Sequence, residues 1–306
     1  PKVKSTAVLL YKMYVGLSLL QLVFLLLGRM PLFDALTTMF GTAGTGGFGI
    51  KNDSIAGYSV YIQVVVTVFM ILFGVNFNVY YLMLKRKFKA ASQTGEVQAY
   101  FIIIGASILL ITINISGMFP SVLEALQQAA FQVGSIITTT GFATADFNKW
   151  PVFSRTLLVM LMFIGACAGS TGGGIKVSRI IILLKSIVKE VDVIVHPHNV
   201  KKLKMDGRVV EHSVVRSVNV FLASYFLIFA VSVLLISVDN FDFTTNFTAV
   251  AATINNIGPG LEIVGPTGNF GMFSDFSKAV LIFDMLVGRL EIFPLLILFF
   301  KNTWSE

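Results

Sequence analysis

The sequence predicts an all-α integral membrane protein of three helix–pore-loop–helix repeats arranged around a pseudo-symmetric ion pore. Three observations carry that prediction. Of 306 residues, 55% are hydrophobic and only 13% charged, with a mean hydropathy of +0.82; a soluble domain has about a quarter of its residues charged. The apolar residues fall into runs long enough to cross a bilayer, which takes about 20 of them. Between those runs lie three short glycine-rich segments, TAGTGGFG (Thr42–Gly49), TTTGFAT (Thr138–Thr144) and NNIGPG (Asn255–Gly260).

The expected spans are Ala7–Gly28, Val60–Leu84, Tyr100–Met118, Val214–Val238 and Ala279–Phe300. A sixth run, Val152–Val188, is longer and broken by glycines. The first run is too long for a cleavable signal and lacks a small-residue cleavage site. The single cysteine, Cys167, excludes an internal disulfide framework and reads as a small buried residue inside an apolar segment.

The net charge of +7 is best explained by orientation rather than by nucleic acid. Basic clusters at Lys85–Lys89 and Lys201–Arg208, with Lys2, Lys4, Lys185, Lys189 and Lys301, flank one side of the runs. The positive-inside rule places that side, and both termini, in the cytoplasm. Asp53, Asp146, Asp239, Asp242, Glu262 and Asp275 collect on the outer flanks, where an acidic vestibule would concentrate cations.

Each unit repeats one order: span, short amphipathic stretch, glycine-rich segment, span. Gly47, Gly141 and Gly258 hold equivalent places, 94 and 117 residues apart, so these are parallel repeats about an axis along the membrane normal. Their boundaries are expected at 1–90, 91–190 and 191–306. The amphipathic stretches Pro31–Phe40, Ser121–Ile136 and Phe243–Ile254 are too short to cross. Ten helical residues reach only ~15 Å. Each would enter from outside and stop partway, its carboxyl end aimed at the centre with about half a negative charge. The chain would then return as extended backbone, tolerated at that depth only where it lines a polar cavity. Thr45, Gly46, Gly47, Thr139, Thr140, Gly141, Asn256, Ile257 and Gly258 are therefore the candidate filter, with carbonyl oxygens replacing an ion's water shell. Threonine and asparagine side chains can add oxygens or brace the loops. The plainer alternative is a set of ordinary outer turns.

Gly165, Gly169, Ser170, Thr171, Gly172, Gly173, Gly174 and Lys176 interrupt the sixth run. The 13 residues before Gly165 reach ~20 Å, so the interruption lies near mid-membrane on the cytoplasmic side of the filter. It reads as a gate, or as a close crossing of helices through small residues. GSTGGGIK lacks the Gly-Lys-Ser/Thr order of a phosphate loop. Arg289 stands inside the last run with Asp284 and Glu291 near it. It is either an electrostatic barrier beside a cation path or half of a buried ion pair. Lys12 snorkels to the inner surface. His196 and His198 in HPHN read as a solvated loop rather than a metal site. No nucleophile–base pair stands out, so an enzyme is not expected, nor is a tightly bound cofactor.

GACAGSTGGGIKVSR, TTTGFAT followed by DFNKWP, NNIGPGLE and MLVGRLEIF together resemble the TrkH-type subunits of bacterial potassium uptake systems, in the Trk/Ktr/HKT superfamily. The resemblance covers essentially the whole chain. It implies four helix–pore-loop–helix repeats around one pore that carries K⁺ across the bacterial inner membrane. It matches Gly47, Gly141 and Gly258 to the filter glycines of the second to fourth repeats, Gly165–Gly174 to a gating loop, and Arg289 to an arginine below the filter. It also implies a homodimer, a lipid environment, and a cytosolic, nucleotide-binding, TrkA-like regulatory subunit. A first repeat is missing here; with Pro1 at the start and TWSE at the end, it is expected to lie outside this sequence. A sodium or mixed-cation path, and a non-conducting scaffold subunit, are the competing readings.

Overall fold

The computed structural model describes residues 2–196, 202–290 and 292–297, and it is almost wholly helical. Thirteen α-helices are named within those residues. They are α1 (Lys2–Leu27), α2 (Leu32–Ala43), α3 (Val60–Phe73), α4 (Phe77–Leu84), α5 (Phe88–Ser92), α6 (Gly95–Ile115) and α7 (Val122–Ile137), followed by α8 (Val152–Ile164), α9 (Val177–Val195), α10 (His212–Ile236), α11 (Phe243–Ile254), α12 (Asp275–Leu290) and α13 (Ile292–Ile297). A two-stranded antiparallel hairpin, β1 (Lys204–Met205) with β2 (Arg208–Val209), joins α9 to α10.

Among the described residues, three helices are long and apolar enough to cross a membrane: Ala7–Leu27, Gly95–Met118 and His212–Asp239. Their outward residues are apolar, as lipid requires and water does not. Leu27, Ile102 and Leu234 are 69%, 69% and 72% exposed. Some of the polar positions buried on these helices bond back to their own turn. Thr112, for example, donates to the carbonyl of Ile108 at 2.7 Å.

Each long helix is followed by a short one, α2, α7 and α11, packed inside the bundle. Of the six buried residues of α2 and the nine of α11, all but Met39 and Asn246 are small or β-branched. Side chains start two of the three: Ser121 accepts the Glu124 N–H at 3.1 Å, and Asp242 accepts that of Thr245 at 2.9 Å. These caps satisfy N–H groups that a helix leaves unpaired. Pro31 holds the equivalent place before α2 with no side-chain bond.

In the first two units the returning helix is interrupted, and in the first the structure corrects the sequence reading. Val60–Leu84 is not one span: α3 and α4 meet at 91°. Gly74 ends α3, and Asn76 begins α4 by accepting the Asn78 N–H at 2.9 Å. The turn fits because Gly74 has no side chain, since a Cβ there would enter the Tyr100 hydroxyl. A continuous apolar pattern suits one straight helix or two bent pieces equally well, so hydropathy could not see the break. The Val152–Val188 run divides into α8 and α9 around the glycine segment, as its glycines suggest. In the last unit the described residues on either side of position 291 are helical, in α12 and α13.

α11 and α12 lie against each other so closely that a Cβ on Gly288 would overlap the Ile254 carbonyl oxygen. Gly288→Ala is expected to force these helices apart and cost about 1–3 kcal/mol, lowering the thermal midpoint of the detergent-solubilised protein. Gly105→Ala, on a lipid-facing turn of α6 with nothing within 4 Å, should leave it unchanged or slightly raised.

Candidate functional site

The three short helices end in the same hydrogen-bonded closure. Gly44, Thr138 and Asn255 keep helical angles as the last residues. Thr45, Thr139 and Asn256 then turn left-handed, with φ of 49°, 59° and 55°. Their N–H groups donate to Thr42, Ile136 and Thr253 carbonyls at 3.1, 3.0 and 2.9 Å. The following N–H groups, of Gly46, Thr140 and Ile257, reach back to Gly41, Ser135 and Ala252 at 2.9, 2.9 and 2.8 Å. This is the Schellman closure of a helix. A glycine then continues each turn: Gly47, Gly141 and Gly258 have φ of 63°, 88° and 106°.

A β-branched residue at positive φ is costly, so Thr45 and Thr139 need a reason to be there. Their hydroxyls supply it. Thr45 Oγ1 donates to the Thr171 carbonyl at 2.9 Å, and Thr139 Oγ1 accepts the Gly173 N–H at 2.6 Å. The third equivalent side chain, Asn256, donates to the Met285 carbonyl of α12 at 3.1 Å. Thr138 and Thr140 share a hydroxyl–hydroxyl bond of 2.8 Å. The sequence pattern marks Thr45 and Thr139 as filter or bracing residues; their left-handed backbone carried no signal, because glycine is the usual occupant of that place.

The turns pack side by side. A Cβ on Gly47 would overlap the Thr140 carbonyl oxygen, and one on Gly141 the Ile257 carbonyl oxygen. Gly258 has nothing within 4 Å. The series is open on that side, where a groove of about 530 Å³ runs between the first and third turns, past Gly46, Phe48, Gly258 and Met285. Among the described residues, none of the carbonyls of 45–47, 139–141 and 256–258 accepts a hydrogen bond. Backbone oxygens left this way are rare in folded proteins. Here they sit at the carboxyl ends of three helix dipoles, which add negative potential.

The segment from Gly165 to Lys176 lies directly under these turns. Gly165, Gly169, Gly174 and Lys176 all have positive φ. Gly172 and Gly173 pass so close to the Thr138 and Asn255 carbonyls that a Cβ would stand 3.0 and 2.6 Å from their oxygens. Ser170 Oγ donates to the Cys167 carbonyl at 2.6 Å, and Lys176 Nζ donates to the Gly172 carbonyl. The segment is also stitched to the α3–α4 break: Cys167 N–H to Gly74, and Phe77 N–H to Gly169, at 3.0 and 3.1 Å. Beneath it is a cavity of about 460 Å³ lined by Gly173, Gly174, Lys176, Asn255 and Arg289 among others. The element before the segment is helix α8, not the strand that a phosphate loop requires.

Arg289 lies in the last turn of α12 rather than mid-helix. Its guanidinium donates to the Gly44 carbonyl at 3.0 Å and the Thr171 carbonyl at 3.4 Å, tying the first turn to the segment below. Asp284 is fully buried and accepts from Ser232 of α10 at 2.7 Å. Glu291, His198 and Lys201 lie outside the described residues. His196 is exposed, and no group of three or more metal-ligating side chains occurs among the described residues. The sequence reading missed Glu96. An acid in the first turn of a helix ordinarily serves its own dipole, yet this one is 3% exposed and accepts the Ala168 N–H at 2.6 Å.

The family model for TrkH, described as a cation transport protein, matches residues 1–306. The chain is 37% identical over 314 residues to the Trk system potassium uptake protein TrkH of Salmonella typhimurium, covering 100% of this chain and 64% of that protein. It is 32% identical to the Escherichia coli Trk system potassium uptake protein TrkG, covering 63% of it. The crystal structure of the potassium transporter TrkH from Vibrio parahaemolyticus superposes with a TM-score of 0.89 at 36% identity, covering 99% of this chain and 66% of that one. The chain thus spans just under two thirds of the length of these relatives.

Thr139→Ser keeps the hydroxyl that receives Gly173 and should unfold close to the unaltered protein. Thr139→Val keeps the branching but strands a buried N–H, and a loss of about 1–3 kcal/mol is expected, read by thermal unfolding in detergent.

Proposed function

The chain belongs to the TrkH family of cation transport proteins, and on that premise we propose that it forms most of a potassium-uptake pore in a bacterial membrane. One observation carries the reading: three superimposable turns, each at the carboxyl end of a short internal helix, present carbonyls that no protein donor occupies. A dehydrated K⁺ is the partner that suits them. It would shed water against the carbonyls of Thr45–Gly47, Thr139–Gly141 and Asn256–Gly258. The hydroxyls of Thr45 and Thr139 are spent on the segment below, so main-chain oxygens do the coordinating. The units at 1–90, 91–190 and 191–306 form three walls, and a fourth wall from outside residues 1–306 closes the side that is open at Gly258.

The Gly165–Gly174 segment is the gate, since it crosses beneath all three turns and is irregular backbone held in place by separate hydrogen bonds. Arg289 sets throughput: it pins the gate to the first turn and puts a positive charge below the filter, where it opposes a passing cation. The basic side faces the cytoplasm, with both termini there, and the clusters at Lys85–Lys89 and 201–208 dock a cytosolic nucleotide-binding subunit of the TrkA kind. Two copies pair in the lipid.

Rubidium and sodium uptake into liposomes carrying the full-length protein tests the assignments. Gly141→Ser is expected to abolish the preference for K⁺ and Rb⁺ over Na⁺. Deleting 169–174 should raise flux while keeping that preference, and Arg289→Gln should raise it less. Unchanged uptake in both the Gly141 and the deletion variants would remove the filter and the gate together.

A further inference from the structure

Two helices near the segment lack caps of their own. Thr94 precedes α6 and Lys176 precedes α9, and neither side chain makes a cap bond. Each helix is instead capped by an acid from elsewhere. Asp206, at the tip of the β1–β2 hairpin, accepts the Gly95 N–H of α6 at 2.8 Å. Glu96, the next residue, turns away from its own helix. It stands at the second helical position, not the third that a capping box requires. Its Oε1 accepts the Ser178 N–H in the first turn of α9 at 3.2 Å and the Ala168 N–H within the glycine segment at 2.6 Å. Its Oε2 accepts from Asn76, the residue that starts α4 after the bend, at 3.3 Å. One buried carboxylate therefore joins the entrance of the glycine segment, the helix that leaves it, and the break in the first unit. The hairpin has a second hold on the same region, Lys185 of α9 donating to the Lys204 carbonyl at 2.8 Å.

We propose that Glu96 is a positioning residue that latches the Gly165–Gly174 segment in its seat beneath the turns, and that the hairpin sets this latch through Asp206. Bonds to a carboxylate are stronger than those between neutral groups, and the N-terminus of α9 adds its dipole. Displacing the hairpin pulls on Gly95, moves the adjacent carboxylate, and frees Ala168 and Ser178. The consequence for flux rests on the gate assignment above; the latch itself does not.

Cys167 gives a readout separate from flux. It is fully buried beside Ala168 and is the only cysteine in this sequence. In the full-length protein, with any cysteine outside these residues replaced, thiol-labelling of Cys167 reports opening of the segment. Glu96→Ala should speed labelling at least ~10-fold. Glu96→Gln, whose amide oxygen still accepts from Ala168 and Ser178, should speed it less. Asp206→Ala should also speed it, and should add nothing once Glu96 is alanine, because both act through one contact. Should Glu96→Ala not fold, the Gln and Asp206 variants carry the test alone. Labelling at the unaltered rate in the folded variants, or full additivity of the pair, overturns the latch. Faster labelling with higher Rb⁺ uptake supports latch and gate; faster labelling with unchanged uptake supports the latch and overturns the gate.

Discussion

Unengaged backbone carbonyls at the ends of three inward helices are the constraint from which the rest of this structure follows. A carbonyl without a donor is costly in an apolar surround, and a membrane offers no water to relieve it. The fold accepts that cost three times at equivalent positions and spends much of its remaining hydrogen bonding on fixing the turns. The Schellman closures set the backbone, the left-handed residues send their side chains outward from the turn, and the glycines let one turn lie against the next. Such preorganisation is what an ion losing its water needs, because the oxygens need not move to receive it.

The interrupted return helices serve the same end. A straight helix beside each turn would leave no space beneath it. Breaking α3 at Gly74 and separating α8 from α9 lets two irregular stretches bond to each other, Cys167 to Gly74 and Phe77 to Gly169. Irregular backbone inside a membrane is tolerable when it is paired in this way. The glycine segment is thus held from three sides: by the turns and Arg289 above, by the α3–α4 break, and by Glu96. A part held by separate hydrogen bonds opens at lower cost than the packed helices around it.

The architecture was legible in the sequence because hydropathy and glycine placement repeat. The three short helices lie where amphipathic stretches of 10–16 residues sit between long runs, and the glycine-broken run divides at Gly165. The α3–α4 bend was not legible, because FGVNF continues an apolar pattern and a single Gly74 is no strong breaker in a span. The glycines and threonines of the turns were readable from the pattern, but the left-handed backbone of Thr45 and Thr139 was not: its reason lies in residues 171 and 173, more than thirty positions away. Glu96 was hidden for the same cause. Its partners come from three other helices and loops, and a lone acid at a helix start has a sufficient local explanation. An open side of the ring was expected from the resemblance to a four-repeat family; that it falls at Gly258, with open space where Gly47 and Gly141 have a neighbour's carbonyl, was not.

The most direct measurement is the position of a heavy permeant ion. A density map of the full-length protein in Rb⁺ or Tl⁺ should show ion density on an axis bounded by the carbonyls of residues 45–47, 139–141 and 256–258, directly above the glycine segment. Density confined to carboxylates of the outer loops, with water alone between the turns, would contradict the account.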